Sequence, residues 1–264
     1  MVRRPLGNDH HGDDTLLVTS DQTHTEGAAA RSAAEAGDLR SLIEGARVVL
    51  WDFDGPVCRL FARHSAERVA KGMVDWLAGR GLRGLLSEDE SELSNPHAVL
   101  RAVASQRPDS GLVIELEARL TEEERRAAST AWPTPYADPL IRTWTKRGRR
   151  LAVATNNSPV AVRTYLKSRG LDACFTPHVY GRTRDLSLLK PNPYCLNRAL
   201  DATGTAPSEA LMIGDSSFDY EAAASADVPF LGYACTPEKA RLLRESGTTV
   251  IVDSLEPVLR ILRG

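Results

Sequence analysis

The chain has 264 residues, of which 42% are hydrophobic and 26% charged, and its formal net charge is −2. This composition is typical of a soluble globular protein with a sizeable core, and the charge provides no positive field that would attract nucleic acid or an anionic membrane. No run of about 18 apolar residues predicts a membrane span, and the four cysteines form no Cys-x-x-Cys pair and no disulfide framework.

The first 45 residues differ in character from the rest of the chain. Residues 1–25 are polar, have no periodicity and lack the apolar segment of a signal peptide, so we expect a disordered tail on a cytoplasmic protein. Residues 26–45 are rich in alanine and other strong helix formers, and they predict a helical lead-in to the folded part.

From residue 46 onward, short apolar runs each end in a polar cluster that opens a helix. In chain order these segments are "ARVVLWDFDG", "RRLAVATNNSPVAVRTYLKSRG", "ALMIGDSSFDYEAAASAD", "PFLGYACTPEKARLLRESG" and "TTVIVDSLEPVLRIL". Ser158 followed by Pro159, and Thr236 followed by Pro237, are typical helix beginnings. Continuous apolar strands alternating with helices predict the α/β class, with a Rossmann-like parallel sheet covered on both faces.

One long segment interrupts this alternation. Residues 59–135 show helical patterns, such as "HSAERVAKGMVDWLAGRG" and "LVIELEARLTEEERRAAST", and no convincing strand. The proline-rich stretch "WPTPYADP" then leads back to the alternating pattern. We therefore expect a catalytic core over residues 46–58 and 136–264, with an all-helical cap domain inserted over residues 59–135.

Four acidic residues follow two of the predicted strands. Asp52 and Asp54 come at the end of the first strand and, two residues apart, can face the same crevice. Asp215 ends the third, and Asp219 follows in the first turn of the next helix. The carboxyl ends of parallel strands meet at one edge of the sheet. An oxygen-rich pocket there would suit Mg²⁺.

Candidate anion-binding groups occupy similar positions. Thr155 ends the second strand at a helix N-terminus, where a hydroxyl and free backbone amides bind anions, and Lys190 lies in "LLKPNPYC", where prolines stiffen the backbone. Taken singly, each of these acids, Thr155 and Lys190 could be a turn residue, a helix cap or a solvated charge. Their joint occurrence at the ends of buried strands favours a functional site.

The order of these motifs resembles that of the haloacid dehalogenase superfamily. Asp52-x-Asp54-Gly, Thr155-Asn156-Asn157, Lys190-Pro191 and Gly214-Asp215-Ser-Ser-Phe-Asp219 follow one another as they do in the branch that contains phosphoglycolate phosphatase and β-phosphoglucomutase. The stretch "IGDSSFDYEAAASADVPFLGYA" carries the strongest likeness. The insertion after the first motif is similar to the helical cap of that branch.

The resemblance implies a role for each motif residue. Asp52 would attack phosphorus to form an aspartyl-phosphate, and Asp54 would act as general acid and then general base. Mg²⁺ would be held by Asp52, Asp215 and the backbone carbonyl of Asp54, with Asp219 orienting these ligands. The phosphoryl oxygens would be bound by Thr155, Lys190 and the backbone amides of Phe53, Asp54 and Asn156.

The expected activity is Mg²⁺-dependent hydrolysis of a small phosphorylated metabolite. Asp54 favours phosphoryl transfer over dehalogenation, because a departing halide needs no proton. A phosphomutase using the same intermediate and a non-catalytic phosphate- or metal-binding domain are the alternatives. Pro56 stands where relatives commonly carry Thr or Val; because the amides expected to bind phosphate come earlier in the chain, we expect the chemistry to survive this change. No basic surface interleaved with aromatic residues indicates nucleic-acid binding.

Substrate choice is expected to depend on the cap. The segment "CRLFARHSAERVAKG" lies just past the catalytic loop and is rich in cations that could meet an acidic substrate. His64 is the first candidate for a substrate contact and Arg63 the second. The alternative is a solvated helix face beside an apolar one.

Overall fold

The computed structural model describes residues 37–264 apart from residue 92. The strands of this part of the chain are, in order, β1 (Val48–Trp51), β2 (Cys58–Arg59), β3 (Trp132–Pro133), β4 (Arg150–Ala154), β5 (Val179–Tyr180), β6 (Ala210–Gly214), β7 (Phe230–Tyr233) and β8 (Ile251–Val252). The predictions for residues 1–25 and 26–36 lie outside the described residues.

The described helices begin with α1 over residues 37–45. The others are α2 (Ala66–Gly79), α3 (Glu88–Ser91), α4 (Pro96–Gln106), α5 (Gly111–Thr130), α6 (Ala137–Lys146), α7 (Pro159–Ser168), α8 (Asp172–Phe175), α9 (Tyr194–Thr203), α10 (Ser217–Ser225), α11 (Pro237–Glu245) and α12 (Glu256–Arg263). Short 3₁₀ turns cover Arg83–Leu85, Leu186–Leu188 and Pro207–Glu209. Among the residues that the structure describes, no helix is both long and apolar enough to cross a membrane.

Within the described residues, six strands form one parallel sheet in the order β5-β4-β1-β6-β7-β8. The central strand β1 is buried along its whole length, and Trp51 at its end pairs with Val153 of β4 and Ile213 of β6. Successive residues of β1 enter different apolar clusters: Val49 and Trp51 pack on one face, Val48 and Leu50 on the other. The predicted α/β fold with a Rossmann-like parallel sheet is confirmed.

The helix beginnings predicted for the core are also confirmed. Ser158 precedes α7, and its hydroxyl accepts a hydrogen bond from the amide of Val160 at 3.2 Å. Thr236 precedes α11 in the same way and accepts from the amide of Lys239 at 3.3 Å. Each cap satisfies a backbone donor that has no partner within the helix. The helices therefore start directly after the ends of their strands.

The sequence patterns missed the edge strand β5. Its two residues, Val179 and Tyr180, pair in parallel with Val153 and Ala154 of β4. Both are only partly buried, and no long apolar run surrounds them, so hydrophobic periodicity carries almost no signal there. This short strand directs the following residues toward the carboxyl end of β4.

The insertion between β1 and the rest of the sheet is built from α2–α5 around its own apolar cluster, which includes Val69, Leu77, Leu100 and Leu116. The expectation of no strand over residues 59–135 was wrong in one detail. Cys58 and Arg59 of β2 pair antiparallel with Pro133 and Trp132 of β3. Such a pairing between distant residues leaves no local sequence pattern. The domain boundaries themselves stay a prediction.

Candidate active site

Asp52 follows the last residue of β1 and is nearly buried, with 7% of its surface exposed. Its amide donates to the carbonyl of Ile213 in β6 at 2.8 Å, which fixes the backbone between the central strands. Burial raises the pKa of the carboxyl group; Lys190 opposes this effect and the nearby Asp219 adds to it. A carboxylate in this position is stable only beside a positive charge.

Lys190 provides that charge. Its Nζ donates to Asp52 Oδ1 at 2.7 Å, to the carbonyl of Ala154 at 2.9 Å and to Asp219 Oδ1, so all three ammonium donors are used. Burial alone would lower the lysine pKa, but the two carboxylates outweigh it and raise the pKa. Asn156 fixes the lysine backbone from both sides: Oδ1 accepts from its amide at 2.7 Å, and Nδ2 donates to its carbonyl at 3.1 Å. Lys190 is thus a buried, fixed cation beside Asp52.

Asp215 and Asp219 lie where β6 turns into α10. Ser216 and Asp219 form a capping box at the start of the helix, and Asp219 Oδ2 accepts from the amides of Asp215 and Ser216 at 3.1 and 3.0 Å. A side chain at Gly214 would overlap Asp219, so this turn requires glycine. Asp219 therefore holds the turn with one oxygen and reaches Lys190 with the other.

These acids form a cluster that could hold a cation. Asp52, Asp215 and Asp219 each offer a carboxylate oxygen, and the three oxygens lie within 4.8 Å of one another. Burial raises the pKa of Asp215 to about 8, against the opposing charge of Lys239. Several buried carboxylates so close together repel one another, and a divalent cation would offset that repulsion. The donor set consists of oxygens alone, which fits Mg²⁺.

Asp54 occupies a different environment from Asp52. Its Oδ1 accepts a hydrogen bond from the amide of Leu60 at 2.8 Å, and burial raises its pKa to about 7 although that bond opposes the rise. Asp54 lines a cavity of about 490 Å³ together with Asp215, Arg59 and Lys239. Its carboxylate faces this cavity without joining the three-acid cluster of the described residues.

The turn after Asp54 depends on Gly55 and accommodates Pro56. Gly55 has a φ of 119°, and a Cβ there would overlap the Asp215 carboxylate. The backbone bonds of the turn use other residues: the amide of Gly55 donates to the carbonyl of Cys58 at 2.7 Å, and the hydroxyl of Thr134 donates to the carbonyl of Gly55. Pro56 is buried, and its missing N–H removes none of these bonds.

Thr155 and Asn156 directly follow β4, as predicted. The Thr155 hydroxyl donates to Asn157 Oδ1 at 3.1 Å, and Thr155 also lowers the pKa of the neighbouring Asp52 carboxyl. Asn157 returns a bond from its amide to Thr155 Oγ1 at 3.2 Å. The structure therefore brings the predicted anion-binding residues Thr155, Asn156 and Lys190 together around Asp52.

The two cap residues predicted to contact substrate lie elsewhere. Arg63 and His64 line a cavity of about 640 Å³ between α2 and α5, and neither lines the cavity at Asp54. His64 Nε2 is 2.6 Å from Glu123 Oε2, and the Arg63 guanidinium lies over the ring of Trp132. Their role in substrate binding stays a prediction.

The sequence analysis did not identify several residues that lie in or near the site. Lys239, in the first turn of α11, pairs with Asp215; its position after the neighbouring strand β7 was the available signal. Arg101 of α4 donates to the carbonyl of Lys190 at 2.7 Å. Glu124 of α5 and Arg182 after β5 form a buried ion pair at 2.9 Å. Contacts of this kind between distant segments carry no local signature.

Comparison with known proteins supports a single family. A model of the haloacid dehalogenase-like hydrolases matches residues 13–227. Phosphoglycolate phosphatase of Rhodospirillum rubrum is 36% identical over 115 residues, which are 42% of this chain and 46% of that protein. Phosphoglycolate phosphatase of Pseudomonas savastanoi pv. phaseolicola is 27% identical over 221 residues, or 81% of this chain and 78% of that protein.

For the Rhodospirillum protein, the match thus spans less than half of the relative's own length. Among solved structures, CbbY from Rhodobacter sphaeroides in complex with phosphate has a TM-score of 0.61 at 19% identity, covering 83% of this chain and all of that one. This likeness establishes the fold, and the family match covers most of the residues that carry the site. The chain belongs to the haloacid dehalogenase-like hydrolases.

Proposed function

We propose that this protein is a Mg²⁺-dependent phosphatase that hydrolyses a small phosphorylated metabolite. The observation that carries the proposal is the pair Asp52 and Asp54: one carboxylate is held by Lys190 within an acidic cluster, and the other faces an open cavity. Two relatives named phosphoglycolate phosphatase support the same class of reaction.

The metal would be held by the carboxylates of Asp52 and Asp215 and by the backbone carbonyl of Asp54, with Asp219 fixing the turn that carries Asp215. When bound, Mg²⁺ would neutralise charge on the phosphoryl oxygens and on the acids around it. Lys239, which pairs with Asp215, would then have to share this carboxylate. Asp52 and Asp215 supply two of the three clustered carboxylate oxygens, and Asp219 supplies the third.

In the first half of the reaction, Asp52 Oδ attacks phosphorus and the bond from phosphorus to the alcohol oxygen breaks. Asp54, facing the cavity, gives its proton to that departing oxygen. Thr155, Asn156 and the charge of Lys190 hold the phosphoryl group in line. The products of this half are the free alcohol and an aspartyl-phosphate on Asp52.

In the second half, Asp54 takes a proton from a water molecule, and the water oxygen attacks phosphorus. The bond from phosphorus to Asp52 breaks, which releases inorganic phosphate and restores the Asp52 carboxylate. We also propose that residues 59–135 act as a cap over this site, with α5 as the helix through which it contacts the core.

The test is phosphate release from a panel of sugar phosphates, phosphorylated carboxylic acids and nucleotides, with and without Mg²⁺. The matched control is Asp52→Asn, which has nearly the same shape but a poor nucleophile. We expect release to require the metal and to fall by a factor of about 10⁴ or more in the variant. Release that Asp52→Asn leaves unchanged would contradict the proposal. Turnover only with a bisphosphate activator, without release of phosphate, would favour a mutase.

A further inference from the structure

Outside the carboxylate cluster, the most completely buried charges of the described residues are Glu124 and Arg182. Both side chains have 0% exposure, and two hydrogen bonds of 2.9 Å join Nη1 to Oε1 and Nη2 to Oε2. Glu124 belongs to α5 of the insertion, whereas Arg182 follows β5 of the sheet. A buried pair of this kind often stabilises a fold no better than apolar residues would. The pair joins the insertion to the core that carries the sheet.

Both residues hold the loop between β4 and α7. Glu124 Oε1 accepts from Asn157 Nδ2 at 3.0 Å, and Oε2 accepts from the amide of Ser158 at 2.9 Å. Arg182 donates from Nη1 to the carbonyl of Asn156 at 3.1 Å and from its own amide to the carbonyl of Asn157 at 2.9 Å. Three consecutive residues of this loop are thus fixed by one ion pair.

The loop in turn carries the predicted phosphate-binding groups. Asn157 exchanges hydrogen bonds with the hydroxyl of Thr155, and Asn156 fixes the backbone of Lys190 from both sides. Glu124 is therefore separated from the Thr155 hydroxyl by a single side chain, that of Asn157. A displacement of Glu124 would be passed to the groups around Asp52.

We propose that Glu124 is a positioning residue which, together with Arg182, holds the loop of residues 155–158 in its phosphate-binding geometry. The insertion thereby contributes to phosphate binding without touching the phosphate itself. This inference rests on the proposed function, because it takes Thr155 and Asn156 as phosphate-binding residues.

The chain offers a matched control on the same helix. Glu117 of α5 also contacts Arg182, with Oε1 3.0 Å from Nε, but among the described residues it makes no hydrogen bond to the loop, and it is partly exposed. His97 and Thr121 complete the surroundings of the pair: His97 Nε2 is 2.9 Å from Glu124 Oε1, and Arg182 Nη2 donates to Thr121 at 3.0 Å. Replacing Glu117 removes a carboxylate from Arg182 and leaves the contacts with residues 156–158 in place.

The experiment measures binding of inorganic phosphate to the full chain by calorimetry in the presence of Mg²⁺, alongside KM and kcat. We expect Glu124→Gln to weaken phosphate affinity and to raise KM by about ten- to a hundredfold. Glu117→Gln should remain within about twofold of the wild type on the same scale. Equal affinities in the two variants would overturn the proposal.

A second variant separates positioning from folding. Glu124→Leu combined with Arg182→Met removes both fully buried charges. Glu117 loses its contact with Arg182, but it is partly exposed and still accepts a hydrogen bond from Thr121, so the chain is expected to fold. If Glu124 and Arg182 position the loop, this double variant should bind phosphate weakly. Wild-type phosphate affinity in the double variant would mean that the ion pair has a purely structural role, and it would overturn the proposal. If the wild type binds phosphate but shows no turnover, only the proposed phosphatase activity is contradicted. If the wild type binds no phosphate, the positioning role of Glu124 is overturned as well.

Discussion

At the residue scale, the site is a balance of four carboxylates against two lysines. Lys190 lies between Asp52 and Asp219, and Lys239 pairs with Asp215. No lysine of the described residues forms an ion pair with Asp54, and burial raises its pKa to about 7 against the weaker effect of Lys239. The residual negative charge at the edge of the sheet is what a divalent cation would neutralise.

A substitution at Gly55 would show how closely the backbone must approach the acidic cluster. Gly55→Ala introduces a Cβ that overlaps the Asp215 carboxylate and a side chain at φ 119°. We expect a loss of about 1–3 kcal/mol in the free energy of unfolding and at least a tenfold loss of Mg²⁺-dependent phosphate release. Denaturant unfolding and a phosphate assay would measure the two effects.

The control for Gly55 is Gly148→Ala. Gly148 also has a positive φ, of 74°, but nothing lies within 4 Å of an added Cβ. This variant should lose stability through backbone strain and keep its activity. If both variants kept full activity, the close approach of Gly55 to Asp215 would have no catalytic importance.

At the scale of single elements, the turn from β6 into α10 combines folding and function. The Ser216 hydroxyl accepts from the amide of Asp219 at 3.3 Å, while Asp219 Oδ2 accepts from the amide of Ser216. The same aspartate contacts Lys190 with its other oxygen. The helix cap and the acidic cluster therefore share a residue, and a change in one alters the other.

Ser216→Ala should expose this coupling. Loss of the cap is expected to lower the free energy of unfolding by about 1 kcal/mol. Asp219 also loses a hydrogen bond of 2.6 Å from the serine hydroxyl, so we expect Mg²⁺-dependent activity to fall severalfold. Ser110→Ala is the comparison, since Ser110 caps α5 through the amide of Val113 in the same manner. Thermal unfolding and kcat/KM would be measured for both; an equal loss of activity in the two would argue against the coupling.

At the scale of the whole molecule, the insertion is joined to the sheet by packing of α5 on α7 and by the pair of Glu124 and Arg182. Burial by itself would raise the pKa of Glu124. The charge of Arg182 and a hydrogen bond from His97 outweigh burial and bring the pKa down to about 2. The charged form of Glu124 is therefore favoured in the folded state, which links stability to pH.

Folding lowers the pKa of the Glu124 carboxyl, so its charged form stabilises the folded state. The contribution of Glu124 is complete above its ordinary pKa of 4.5 and is lost as pH falls from there toward about 2. Its size is on the order of 3 kcal/mol. We expect the difference in unfolding free energy between the wild type and Glu124→Gln to shrink as pH is lowered from 7 to 3. Arg182 and His97 contact Glu124, whereas Glu117 contacts only Arg182 of these, so Glu117→Gln serves as the control. A difference that stays constant over this range would contradict the assignment.

The sequence by itself determined the class of fold and the residues at the carboxyl edge of its sheet. Buried parallel strands require continuous apolar runs. The residues that follow their carboxyl ends meet at one edge of the sheet, independently of the conformation of the connecting loops. Asp52, Asp54, Thr155 and Asp215 could therefore be assigned to one place from local patterns alone. The helix caps Ser158 and Thr236 were equally local, since a cap bonds to amides only two or three residues away.

Tertiary structure alone decided which distant side chains complete the site. The pairing of Lys239 with Asp215, the contact of Arg101 with Lys190 and the ion pair of Glu124 with Arg182 join segments that share no local pattern. The two-residue strands β2, β3 and β5 also depend on tertiary structure, because each is defined by its pairing with a strand that is distant in the sequence. The physical reason is common to all of them: periodicity reports what a segment buries, whereas the choice of partner depends on how the whole chain packs.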